Sequence, residues 1–219
     1  MIDLISQKKI YFFSTALFLF FIGVLIFLYP EGRSFFIING LHFPLADVFF
    51  TYFTYAGDGL VVLVICLLIL LFYRFSTGIA ALLGHGLTGL FCYVFKQFVF
   101  EAKRPMLHFW NNKMIHYVEG VHVNIEHSFP SGHTATAFFI FTFMALFMRY
   151  ENWIAEFLLF LCAALVAWSR VYLAQHFIGD VFAGALLGMI CAFIAQWIHF
   201  SLRKNKTLRK NIITLIDKK

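Results

Sequence analysis

The chain has 219 residues, 62% of them hydrophobic and only 13% charged, with a mean hydropathy of +0.84. An ordinary soluble domain carries about 25% charged residues, so the composition excludes that class and indicates an all-α, polytopic membrane protein. The formal net charge of +6 lies in the tail, where residues 201–219 hold seven Lys/Arg and one Asp, so the excess is not a nucleic-acid surface.

Residues 10–29 form an apolar run after Lys8 and Lys9, and about 20 such residues suffice to cross a bilayer. The charge order is that of a signal peptide. The run is too long for one, however, and Tyr29-Pro30-Glu31-Gly32 is no small-residue cleavage site, so it reads as a retained first span. Residues 45–55 are aromatic and apolar between Pro44 and Gly57-Asp58-Gly59, and read as an interfacial helix leading into a second span at 59–73. The third span is 78–100. It contains Gly84, Gly86 and Gly89, small residues that let helices approach closely, and His85, which reads as an interhelical hydrogen bonder. A polar outer loop, 101–129, separates it from spans at 131–148, 153–168 and 177–200, and a basic tail follows at 201–219. Six spans make a single membrane domain. The four cysteines sit in apolar runs without CxxC spacing, so they predict neither a disulfide nor a zinc site.

Lys/Arg placement sets the orientation. With the N-terminus inside, Lys8, Lys9, Arg74, Arg149 and the tail put eleven basic residues on the inner face, against six outside: Arg33, Lys96, Lys103, Arg104, Lys113 and Arg170. That satisfies the positive-inside rule and places both termini in the cytoplasm. The same topology gathers Lys96, Arg104, the start of span four at Ser131-Gly132-His133, Ser169-Arg170, and His176 with Asp180 at the outer face.

Ionisable groups in apolar segments mark functional sites by default. Three cations rich in N–H donors suit a phosphate or another multi-oxygen anion. A helix start after a proline offers free N–H groups to the same anion, and Gly132 allows close approach. Two histidines at one depth can divide the work of nucleophile and general acid. Asp180 lies one helical turn after His176 and can fix the tautomer of that imidazole. His108, His116, His122 and His127, with Glu119 and Glu126, have no tight metal-ligand spacing and read as a polar loop over the site.

Pro130-Ser131-Gly132-His133, followed by Ser169-Arg170-x5-His176-x3-Asp180, resembles the second and third signature motifs of the type 2 phosphatidic acid phosphatase (PAP2) superfamily at every defined position. Lys96-x7-Arg104-Pro105 resembles the first motif, K-x6-R-P, with one extra residue, so that Lys103 occupies the motif's Arg position. The resemblance implies a six-helix membrane phosphatase needing no metal and no cofactor. By it, His176 is the nucleophile and forms a phosphohistidine, and His133 protonates the leaving alcohol and then activates water. Asp180 orients His176, while Lys96, Arg104, Ser131, Gly132 and Arg170 hold the phosphoryl oxygens. The expected substrate is a membrane lipid phosphate: undecaprenyl pyrophosphate, phosphatidylglycerophosphate, phosphatidate or a lipid A phosphate. The expected location is the inner (plasma) membrane, with the site facing the periplasmic side. A phosphotransferase using the same phosphohistidine, and a non-catalytic lipid-phosphate carrier, are the alternatives. The histidine pair argues against the carrier, since binding alone needs only cations.

Overall fold

Helices are the only regular elements among the described residues, 6–110, 114–148, 151–205 and 208, of the computed structural model. In chain order they are α1 Lys9–Leu28, α2 Glu31–Asn39, α3 Pro44–Phe53, α4 Gly59–Phe72, α5 Phe75–Val94, α6 Pro105–His108, α7 Gly132–Phe147, α8 Trp153–Tyr172 and α9 Ile178–Leu202. A 3₁₀ turn, Thr54–Gly57, joins α3 to α4, and a π-helical turn, Phe95–Val99, continues α5. Lys113, Arg149 and, apart from Leu208, the tail beyond residue 205 lie outside the described residues.

Four helices are long and apolar enough to cross a membrane: α1, α5 with its π turn, α8 and α9. Counting α2 and α3, bent by 109°, as one broken span raises this to five. Two of the six expected spans fall short of that length. The segments expected at 59–73 and 131–148 are helices of 14 and 16 residues, about 21 and 24 Å long against a hydrocarbon core of about 30 Å. α4 stops at the chain reversal through Tyr73 and Arg74, and α7 cannot begin before Pro130. α7 is also enclosed by protein: Phe138, Phe139, Ile140 and Phe143 are at most 1% exposed. α8, by contrast, runs past its expected end at 168, so that Ser169 and Arg170 lie in its last turn.

Because lipid tails are as apolar as the side chains, helix association in a membrane rests on close packing rather than on the hydrophobic effect. α7 and α9 approach closely. A Cβ on Gly188 would lie 2.2 Å from the Ala135 carbonyl oxygen, and one on Gly184 2.6 Å from that of Ser131. Two missing side chains thus bring backbone against backbone, and the Ser131 N–H donates to the Asp180 carbonyl at 3.0 Å. Phe138 and Phe139, adjacent on α7, pack into two different apolar clusters, so this short helix is the centre of the bundle.

At the other end of α7 and α8 the polar contacts are structural. Glu156, 2% exposed, accepts the N–H groups of Ile10 at 3.1 Å and Tyr11 at 3.4 Å. It satisfies first-turn donors of α1 that have no intrahelical partner. The Tyr11 hydroxyl shares a 2.7 Å hydrogen bond with Thr142 Oγ1, tying α1 to α7.

Candidate active site

The chain leaves α8 through a tight turn in which Ala174 has φ 55° and the N–H groups of Gln175 and His176 both donate to the Arg170 carbonyl, at 2.9 and 3.1 Å. Such a turn satisfies the last carbonyls of a helix and reverses the chain. Here it sets His176 just before α9. Asp180, in the first turn of α9, folds back over the helix start. Its Oδ2 accepts the Phe177 N–H at 3.0 Å, His176 Nδ1 at 3.2 Å and the Ser128 hydroxyl at 2.5 Å. Ser128, His176 and Asp180 are at most 3% exposed. A carboxylate on Nδ1 selects the tautomer with its proton there, which leaves Nε2 with the lone pair. Burial first, and then the charges of Arg104, Arg170 and Lys96, hold the His176 imidazole well below its ordinary pKa of 6.5. It is therefore a neutral base at physiological pH.

The cations reach this histidine from three elements. Arg104, immediately before α6, is 7% exposed and donates through Nε to the Glu126 carbonyl at 2.8 Å. Its Nη1 donates to the carbonyl and the Oε1 of Gln175, both at 3.1 Å. Arg170 is equally buried, donates through Nη1 to Thr54 Oγ1 at 2.8 Å, and keeps a buried Nε without a hydrogen-bond partner among the described residues. Lys96, in the π turn, donates to the His127 carbonyl at 2.8 Å. A π turn holds one residue more than an α turn, which accommodates the extra residue between Lys96 and Arg104. Lys103 lines a separate outer cavity of about 290 Å³ with Glu101, Glu126 and His127.

Ser131 caps the start of α7 after a cis Phe129–Pro130 bond. Its N–H is engaged by Asp180, as described above, and its Oγ accepts from Thr134 Oγ1 at 2.9 Å. The donors left for an anion are therefore the next N–H groups of the first turn, at Gly132 and His133. Nothing lies within 4 Å of where a Gly132 Cβ would sit, so the space over this helix start is open. The His133 side chain is 30% exposed, with Nε2 3.7 Å from Asp58 Oδ2.

The residues expected from sequence thus converge: His176, Asp180, Arg170, Arg104, Lys96 and the Ser131–His133 helix start all surround one buried polar centre. Four participants were not expected. Ser128 and Gln175 are ordinary polar residues whose role depends on which carboxylate or guanidinium they meet. Thr54 lies at the end of the stretch read as an interfacial helix, and Asp58 lies in the Gly57-Asp58-Gly59 read only as a break between apolar runs. A carboxylate between two glycines at the edge of a span was a detectable signal. Of the loop histidines, His116 anchors the loop. Its Nε2 meets Asp47 Oδ1 at 2.8 Å, its backbone is bonded by Asn39, and its ring stacks on His42 at 3.9 Å. Tyr172 donates to the same Asp47 oxygen at 2.5 Å, so the loop is bound to the end of α8 next to the site.

Comparison with known proteins agrees with this geometry. Residues 77–204 match the sequence profile of the PAP2 superfamily, a stretch that contains every predicted site residue. The chain is 39% identical over 87 residues to a protein described as a putative undecaprenyl-diphosphatase, YbjG, of Escherichia coli, a match covering 37% of this chain and 42% of that one. It is 30% identical over 182 residues to the lipid A 4'-phosphatase of Porphyromonas gingivalis, covering 79% of this chain and 74% of the relative. Among solved structures, Aquifex aeolicus LpxE superposes with a TM-score of 0.65 at 32% identity, covering 76% of this chain and 94% of that one.

Proposed function

The chain belongs to the PAP2 superfamily, and from that premise we propose that it is a membrane lipid phosphatase working through a phosphohistidine. The observation that carries this reading is the His176–Asp180–Ser128 arrangement beneath Arg104 and Arg170, with His133 facing the same centre. A carrier needs the cations; it does not need a buried imidazole with a fixed tautomer.

His176 Nε2 attacks phosphorus in line with the ester oxygen. The P–O bond to the lipid breaks, and His133 gives its proton to the departing alkoxide, so that the lipid leaves as a neutral alcohol. Asp180 stabilises the positive charge that His176 acquires, through Nδ1–H. His133, now neutral, takes a proton from water, the resulting hydroxide displaces the histidine from phosphorus, and phosphate departs. Arg104, Arg170 and Lys96, with the N–H groups at Gly132 and His133, hold the equatorial oxygens, where phosphoryl transfer concentrates charge. Ser131 keeps that helix start against Asp180. These cations carry the electrostatic load a divalent metal carries elsewhere, so the reaction is read as metal-independent.

The six apolar helices α1, α4, α5, α7, α8 and α9 form the bundle in this reading, with the short α7 enclosed at its centre and the short α4 packed beside it. Both termini are cytoplasmic, and the site opens at the outer leaflet of the inner membrane, where an amphipathic phosphate ester reaches it while its chains stay in lipid. Lipid A phosphates and phosphatidylglycerophosphate lead the substrate classes, because the relative matched over 74% of its length is a lipid A 4'-phosphatase and a solved structure matched over 98% of its length, at 25% identity, is a phosphatidylglycerolphosphate phosphatase of Bacillus subtilis.

The test is phosphate release by purified protein from undecaprenyl pyrophosphate, phosphatidylglycerophosphate, phosphatidate and lipid A, with chelator present and no added acceptor. Release from at least one, greatest from lipid A or phosphatidylglycerophosphate, is expected. Release only after an acceptor alcohol is added would make the protein a phosphotransferase. Loss in chelator restored by one divalent ion would overturn the metal-free mechanism.

A further inference from the structure

Asp58 belongs to none of the recognised motifs, yet the fold holds it on His133 in several independent ways. Its Oδ1 caps α4, accepting the N–H groups of Leu60 at 2.8 Å and Val61 at 3.4 Å. The preceding Gly57 is pressed onto α7: a Cβ there would lie 2.5 Å from the His133 carbonyl oxygen and 2.6 Å from Val166 Cγ1. Thr136 Oγ1 donates to the Gly57 carbonyl and lies 3.1 Å from the His133 carbonyl, so one hydroxyl bridges the two segments. With Oδ1 occupied by the helix cap, Oδ2 faces His133 Nε2 at 3.7 Å.

The charges around His133 make that contact consequential. Arg170 from α8, Arg104 from the outer loop and Lys96 from the π turn all act on its ring, and Asp58 is the carboxylate among its principal charged neighbours; His176 faces it across the centre. A proton donor must hold its proton until the leaving oxygen takes it. Burial, and then three nearby cations, disfavour an imidazolium, and it takes both a carboxylate and a bound phosphate to offset them. The contact is longer than a hydrogen bond and its partners are both 30% exposed, so His133 is not locked as His176 is, and remains free to turn toward the leaving oxygen.

We propose that Asp58 is a positioning residue for the acid half-reaction, holding His133 toward the leaving-group oxygen and stabilising its imidazolium once a bound phosphate has offset the neighbouring cations. This rests on the reading of His133 as the general acid. It makes Asp58 matter most for lipid alcohols, which leave as strongly basic alkoxides, and least for leaving groups that depart without a proton.

The test compares an alkyl phosphate, dioctanoyl phosphatidate, with the aryl ester p-nitrophenyl phosphate. Asn is as good a helix cap as Asp, so Asp58→Asn removes the charge and keeps the end of α4. Asp58→Ser is a second uncharged cap should the first fold poorly. The alkyl-to-aryl rate ratio is expected to fall about tenfold in both, and the alkaline limb of kcat on the alkyl substrate to move down by about one pH unit. Asp58→Glu should restore much of the limb. His133→Gln is the control for the underlying reading. If, in a single turnover read at release of the alcohol, it slows the alkyl and aryl esters equally, His133 is not the acid, and both readings fall. If it lowers the ratio but Asp58→Asn and Asp58→Ser leave ratio and limb unmoved, only the role of Asp58 is overturned.

Discussion

The two histidine–carboxylate pairs of this protein differ in almost every physical respect. His176 and Asp180 lie at 3.2 Å with side chains 2% and 4% exposed, while His133 and Asp58 lie at 3.7 Å and are both 30% exposed. The first pair sits on adjacent positions of one helix start and is completed by the Ser128 hydroxyl and the Phe177 N–H. The second joins residues far apart in the chain, and its carboxylate divides itself between a helix cap and the imidazole. The contrast matches the two tasks. A nucleophile needs one tautomer and one direction of attack, which dense hydrogen bonding and exclusion of water provide. A proton donor that later becomes a base must meet first a leaving oxygen and then a water, which requires access.

Substitutions can break this contrast. His176→Ala should give the largest effect, a loss of phosphate release of about 10⁴-fold or more. The protein should remain folded and still bind substrate, as seen in a binding assay with a lipid phosphate; substantial residual turnover would remove His176 as the nucleophile. Asp180→Asn should cost about 10³-fold, because an amide can favour the wrong imidazole tautomer. The loss should be alike for alkyl and aryl esters, unlike that expected at Asp58. Ser128→Ala removes one of three donors from a buried carboxylate and should lower kcat by about tenfold, with little change in KM if Ser128 acts only through Asp180. The smallest effect is on the pH profile. Since the folded environment depresses the His176 pKa, its neutral form persists as pH falls through 6.5 and is lost only at lower pH. The acid limb of kcat/KM should therefore lie below 6.5, and a limb at or above that value would contradict the buried, cation-surrounded nucleophile.

Most of the buried pair was legible in the linear sequence because both partners lie within one helical turn, and a polar island between apolar runs is conspicuous in a chain that is 62% hydrophobic. Arg170 was legible for the same reason. Lys96 and Arg104 were recognisable by residue type, but their spacing made sense only when a π turn was seen between them. Span lengths were the least well read. Apolar runs that look equivalent in sequence become helices long enough to cross a membrane at α1, α5, α8 and α9 and helices of only 14 and 16 residues at α4 and α7.

The sequence alone determined an all-helical membrane chain and the local His176–Asp180 pairing, because hydropathy and helical period are properties of neighbours along the chain. Only the tertiary structure decided which distant groups complete that site. Ser128 on Asp180, Thr54 on Arg170 and Asp58 on His133 are contacts between segments 52 to 116 residues apart. They form because Gly184, Gly188 and Gly57 let backbones approach within the width of a missing side chain. Such closeness depends on how helices pack, and no pattern within one helix specifies its partner.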